Sequence, residues 1–218
     1  MWRKAIAGAI LGFLLVGPLA SGRAADTATT PENTAADTAS TTPGAIVDRL
    51  HAALLDAMKD AKALGYAGRR QRLEPVIRST FDLALMTQIV MGPAWPSLSP
   101  DDRTALVTAF SDYTIANYAS RFDGWDGEGF VTGAQDDGGR GTIIVHTQLT
   151  SQNDQPVALD YRLRKADDGW RIIDVYADSA ISELATRRSE FAAVLAQNGL
   201  AGLLDRLRQQ TQALAQHG

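Results

Sequence analysis

Cysteine is absent from this 218-residue chain. Its absence excludes disulfides, thiolate chemistry and the lipid-modified N-terminal cysteine of bacterial lipoproteins. Histidine is scarce: His51, His146 and His217 stand far apart, and no HExxH, DxD or paired-carboxylate pattern accompanies them. No glycine-rich stretch has the strand, glycine signature and Lys-Ser/Thr of a phosphate-binding loop, and no nucleophile elbow occurs. A basic surplus is missing too. The net charge is -4, and it becomes about -7 once the leader described below, carrying Arg3, Lys4 and Arg23, is removed. That balance disfavours nucleic acid, whose sequence-independent binding depends on neutralising phosphates. Internal repeats are absent as well. These gaps leave no metal site, no cofactor site and no catalytic constellation, so the expectation is a protein that is not an enzyme.

What is present begins with a secretory signature over residues 1–24. Arg3-Lys4 is the charged start, and Ala5 to Val16 is an apolar run of about a dozen residues. Small residues around Gly22 and Ala24 suit cleavage after Ala24. Such a run is short of the roughly 20 residues a membrane span needs, which makes a cleaved signal peptide and a periplasmic location the expectation. Residues 25–43 hold no large apolar side chain and read as a disordered linker, unable to offset the entropy of ordering. One folded domain is expected over residues 44–216, as a monomer.

Within it, Ile46, Leu50, Leu54, Met58 and Ala61 recur at helical spacing, and Gly65 should end that helix. The basic run Arg69-Arg70-Gln71-Arg72 reads as a solvated helix face, with attraction to anionic headgroups as the other reading. A third helix spans Phe81 to Met91. Ser99-Pro100-Asp101-Asp102 carries a cap, an N1 proline and first-turn acids, so a helix should run from there to about Phe122. Strands follow from about Phe130, with a turn at Asp136-Asp137-Gly138-Gly139 and a strand over Thr142 to Thr150. The clearest pair is Val157 to Tyr176, where Leu159, Tyr161 and Leu163 alternate with Asp160, Arg162 and Arg164 before an Asp168-Gly169 turn and a strand with Trp170, Ile172, Ile173 and Val175. Two helices, Ser182 to Gln197 and Leu200 to Ala215, close the chain around an Asn198-Gly199 stop. The fold class is therefore α+β, with about four sequential antiparallel strands packed against N- and C-terminal helices. Large rings gather at that boundary: Trp95, Phe110, Tyr113, Tyr118, Phe122, Tyr161 and Trp170. They serve equally as core or as the wall of an apolar pocket.

The ordered set of a Gly92-Pro93-Ala94-Trp95 connector, a Ser-Pro-Asp-Asp helix with Phe110 and Tyr113, Asp160-Tyr161-Arg162-Leu163 and Gly169-Trp170-Arg171-Ile172-Ile173-Asp174-Val175, ending with Arg188-Ser189-Glu190-Phe191, resembles the MlaC family, the toluene-tolerance auxiliaries of ABC transport systems. The likeness covers roughly Ala45 to Arg208. Ile181-Ser182-Glu183-Leu184-Ala185 with Arg187-Arg188 looks like its hopanoid-associated HpnM branch. One departure is Asp178-Ser179-Ala180, where the family often has a glycine. The resemblance implies a periplasmic lipid carrier with a lipid cavity between sheet and helices, binding phospholipid or hopanoid as cargo. Its implied partners are an inner-membrane ABC transporter complex and an outer-membrane lipoprotein or porin complex. Trp95, Phe110, Tyr113, Tyr161 and Trp170 match family positions near the cavity, and strand alternation adds Val145, Leu149 and Leu163. Arg162 and Arg188 are candidates for its rim. The competing readings are an NTF2-like small-molecule pocket enzyme using Asp160 or His146, and a non-lipid periplasmic adaptor.

Overall fold

A computed structural model describes residues 42–152 and 155–217. The signal expectation and the linker up to residue 41 lie outside the described residues, as does part of the Ser151 to Gln155 turn; the last linker residue, Pro43, instead begins the first helix. Among the described residues no helix is long and apolar enough to cross a membrane.

Helix α1 (Pro43–Lys59) starts where Thr42 caps the Ala45 amide, with Pro43 at the first position. It ends at Asp60, five residues before the glycine expected to stop it. Helix α2 (Ala61–Thr80) is broken at Gly65, φ 58°, so a short first turn does end at the expected glycine and a second helical piece follows it. The basic run follows the break. Arg69 is buried, its Nε donating to the Ala119 carbonyl at 2.8 Å and an η nitrogen to the Ala61 carbonyl on the other side of the break. Arg70 reaches Asp112, and Arg72 binds Asp60 at 2.6 Å. Within the run, Arg69 is a buried clamp between helices and Arg70 is half-buried, while Gln71 and Arg72 keep to the solvated face expected of them.

Helix α3 (Leu83–Met91) is capped by Asp82, whose other carboxylate oxygen takes Arg164 from the sheet. Phe81, expected inside that helix, instead bridges to Ile172 of the sheet. A short 3-10 turn (Gly92–Ser97) leads to helix α4 (Pro100–Arg121), capped by Ser99 as its sequence implies. Leu106, Phe110, Tyr113 and Asn117 form its buried stripe.

Five antiparallel strands follow in chain order: β1 (Gly129–Gly139), β2 (Thr142–Thr150), β3 (Val157–Ala166), β4 (Gly169–Ala177) and β5 (Ile181–Ser182). The fifth, two residues long, is an addition to the four expected. β1 continues through the Asp-Asp-Gly-Gly sequence, and the turn falls at Arg140-Gly141, with φ of 55° and 74°. Two successive left-handed residues match the twist of a two-residue hairpin, which outweighs the turn propensity of the preceding aspartates. In the β3–β4 pair the two-residue loop is Asp167-Asp168, one position earlier than expected. A bulge there inserts Ile173, so Ile172 and Val175 can both turn inward although they are an odd number of residues apart.

Helix α5 (Glu183–His217) breaks at Gly199, φ 64°, into the two arms foreseen around Asn198-Gly199. Leu184, Phe191, Leu203 and Leu207 bury against the other helices. The core lies between the helices and one face of the sheet, and Leu50, Leu54, Leu73, Ile77, Leu106, Ile115, Val145, Leu163 and Ile172 are fully enclosed there.

Candidate functional site

Two small voids remain in that layer. The first, about 40 Å³, is lined by Asn117, Tyr118, Arg121, Phe122, Leu159, Tyr161, Val175 and Glu183. The second, about 20 Å³, is lined by Phe81, Met86, Phe110, Tyr113, Thr114, Asn117, Tyr118, Glu183, Leu184 and Arg187. Asn117, Tyr118 and Glu183 are common to both and form the wall between them. The walls come from one helix stripe, the inward residues of β3 and β4, and the first turns of α5.

The expected residues divide across this arrangement. Tyr161 lines the first void; Phe110 and Tyr113 line the second. Val145, Leu149 and Leu163 face the same core but pack as buried filler beside them. Trp95 lies on the 3-10 turn under the Arg103 guanidinium, 5.4 Å from its ring centre, and Trp170 pairs with Lys165 at the tip of the β3–β4 hairpin. Neither tryptophan touches a void. Tyr118 and Phe122, already notable as rings, do, and they stack on each other at 5.7 Å.

The polar members are the ones that sequence reasoning missed. Glu183 and Arg187 sit on the first turns of α5, and Arg121 ends α4. The placement of Glu183 and Arg187 depends on Asp174 in β4. One of its carboxylate oxygens accepts the Val175 and Leu184 amides, and the other accepts the Ser182 hydroxyl at 2.6 Å, while Ser182 in turn caps the Ala185 amide. The helix N-terminus is thereby pinned to the sheet, and Glu183 is held over the voids. Burial raises the Asp174 and Glu183 carboxyls above the usual range, although Arg187 and Arg121 pull Glu183 back toward ionisation. Burial also lowers the Arg121 guanidinium from its usual value. The rim candidates lie elsewhere: Arg162 covers the Tyr176 ring at 5.6 Å, and Arg188 packs against Gly92.

Behind Tyr161 stands a residue with no sequence signal, His51. Its Nε2 is 3.0 Å from the Tyr161 hydroxyl, its ring stacks on Phe130 at 3.9 Å, and burial pushes its pKa down to about 3. Burial drives the Tyr161 phenol upward, so this is a neutral pair that orients a wall residue. His146 meets Asp136 at 2.9 Å and Asp160 at 3.0 Å, a pairing that holds its pKa above the ordinary histidine value. Strand alternation places His146 and Asp160 on the outer face of the sheet, opposite the voids. Among the described residues no group of three His, Asp or Glu side chains is placed to hold a metal.

Comparison with known proteins agrees with this architecture. A phospholipid-binding protein from Ralstonia solanacearum, solved in complex with a phospholipid, shares the fold with a TM-score of 0.69 and 24% identity. The match covers 79% of this chain and 98% of that one. The family model of the MlaC protein matches residues 48–209, about three quarters of the sequence. The chain belongs to the MlaC family.

Proposed function

We propose that this protein is a periplasmic lipid carrier that takes up the acyl chains of a phospholipid between its sheet and its helices. In this reading residues 1–24 direct export and residues 25–41 form a tether. The carrier exchanges lipid with an inner-membrane ABC transporter complex and an outer-membrane lipoprotein or porin complex. A hopanoid is the alternative cargo.

The observation that carries the reading is the pair of voids lined by Phe110, Tyr113, Phe122, Leu159, Tyr161 and Val175. Family membership and the phospholipid held by the Ralstonia protein support it. Each methylene removed from water is worth about 0.8 kcal/mol, so a two-chain lipid does not cross an aqueous gap bare. The voids, about 40 and 20 Å³, are far smaller than an acyl chain. Entry therefore requires α4 and the first arm of α5 to part from β3 and β4. Exchange between apolar surroundings leaves a small net free energy, which permits loading at one membrane and release at the other.

Native mass spectrometry of the mature protein purified without detergent is the direct test, followed by extraction and identification of bound lipid. Stoichiometric phospholipid supports the carrier. A bare protein that also takes no phospholipid from vesicles overturns it and favours a non-lipid adaptor.

A further inference from the structure

On the outer face of the sheet one imidazole is held between carboxylates from two different strands. His146 of β2 stands where β1 bulges. Thr132 pairs with Thr147 and Gln135 with Val145, so Gly133 and Ala134 both face the single residue His146, and the ladder is interrupted there. Just beyond the gap, the Asp136 carboxylate of β1 lies 2.9 Å from His146 Nε2. From the other side β3 brings Asp160, whose carboxylate lies 3.0 Å from Nδ1. The two acids differ sharply in burial: the Asp160 side chain is 4% exposed, and that of Asp136 is 70% exposed.

The other charged groups on these strands are directed elsewhere. Arg162, two residues along β3, lies over the Tyr176 ring of β4 at 5.6 Å, and Tyr176 is the residue paired with Asp160. Asp137 accepts the Gly139 amide. Ile144 and Gln148, the neighbours of His146 on its own strand and face, carry no charge.

An imidazolium has two N–H donors and satisfies both acids, whereas the neutral ring has one donor and turns a lone pair to the other acid. A buried carboxylate stripped of its donor costs far more than an exposed one, which water solvates. The remaining N–H therefore stays on Nδ1 toward Asp160, and Asp136 is the partner released. We infer that Asp136, His146 and Asp160 form a pH-operated clasp, which ties the edge strand β1 across β2 to β3 when the imidazole is protonated and lets β1 go when it is neutral. The two carboxylates hold the His146 pKa above 6.5, with the Asp136 bond contributing most. The folded chain thus keeps this proton to higher pH than the unfolded chain does. The tie is complete below pH 6.5 and is lost as pH rises through the folded value. The regulated element is the far half of β1, Gln135 to Gly139, with the hairpin tip beyond it.

Long-range proton–nitrogen NMR of the mature protein carrying nitrogen-15 histidine, titrated from about pH 5 to about pH 9, reads both the charge and the tautomer of His146. Its signals are assigned by their loss in His146→Gln. Amide exchange over Gln135 to Gly139, corrected for its intrinsic dependence on pH, reads the strand. The expected result is a midpoint above 6.5 and a neutral ring protonated on Nδ1, the tautomer that free histidine disfavours. Protection over Gln135 to Gly139 falls several-fold through the same midpoint. Asp136→Ala, at an exposed site, lowers the midpoint and removes the fall, leaving protection weak throughout. Asp136→Asn, which keeps an acceptor but no charge, also removes the fall and serves if alanine loosens the hairpin beyond measurement.

A neutral ring protonated on Nε2 overturns the clasp, because Asp160 and not Asp136 would then be released. Protection that stays constant through the His146 midpoint overturns it as well. So does a fall in protection that persists undiminished in both Asp136 variants.

Discussion

Acidification should destabilise this protein through His51 alone by an amount the structure fixes. The imidazole is buried, stacked on Phe130 and bonded to the Tyr161 hydroxyl, and its pKa falls from 6.5 to about 3. Below pH 6.5 the unfolded chain binds a proton at this position that the folded chain refuses. Stability is therefore lost as pH falls from 6.5 toward 3, and the loss is complete below that range. Between pH 7.5 and pH 4.5 this single proton is worth about 3 kcal/mol. Other groups work in the opposite direction. Asp174, Glu183 and His146 have raised pKa values, so each contributes more to stability as pH falls. The assay is accordingly a double difference: urea unfolding of the wild type and of His51→Gln at both pH values. The variant loses ring stacking at every pH, and that loss cancels. The wild type should lose about 3 kcal/mol more than His51→Gln between the two conditions. An identical loss in both proteins would refute the reasoning, because His51 would then not be buried and neutral.

Three further outcomes can be checked directly. Arg69→Met leaves the Ala119 and Ala61 carbonyls without their buried donor, so urea unfolding should show a loss of about 2–4 kcal/mol, whereas a solvated face would lose less than about 0.5. Ser179→Gly relieves a left-handed residue at φ 56° and should gain about 1 kcal/mol, read as a melting temperature higher by about 2–4 °C; an unchanged or lower value sinks the strain argument. Asp174→Ala frees the Leu184 amide and the Ser182 hydroxyl, so hydrogen exchange should accelerate over Leu184 to Arg187, with Asp174→Asn restoring much of the protection; uniform protection in the alanine variant would show that Asp174 does not anchor α5.

The strands were legible where one face is buried and the other wet. Thr142 to Thr150 alternates from Val145 onward, and its observed bounds coincide with the expected ones, because period two survives any rearrangement that keeps the sheet against helices. The Asp136 to Gly139 sequence misled for a definite reason: turn propensity is local, while the ladder with Ile143, Ile144 and Val145 is not, and the ladder prevailed. Arg69 illustrates a second limit. A charged residue in a basic run shows no period that distinguishes solvent from a backbone carbonyl two turns away. Asp178-Ser179 is the converse, since the missing glycine was visible as a departure and the structure places both residues at positive φ.

For the site, the legible part was its apolar half. Phe110, Tyr113 and Tyr161 reach the voids because helical and strand periods aim them at the same interface. Period assigns a face, however, and not a position along it, which is why Val145, Leu149 and Leu163 share that face as filler and why Trp95 and Trp170 sit at its ends. The polar half had no such signal. Glu183 at a helix start and Arg121 at a helix end both look like ordinary partners of the macrodipole. What turns Glu183 inward is Asp174, through bonds to Ser182 and Leu184 that span 8 and 10 residues. The motif residues quoted for the family resemblance thus divide into wall residues, Phe110, Tyr113 and Tyr161, and anchors. Asp174 and Ser182 touch neither void, but they determine where Glu183 and Arg187 stand, and those two define the polar side of a site whose apolar side the periodicity had already outlined.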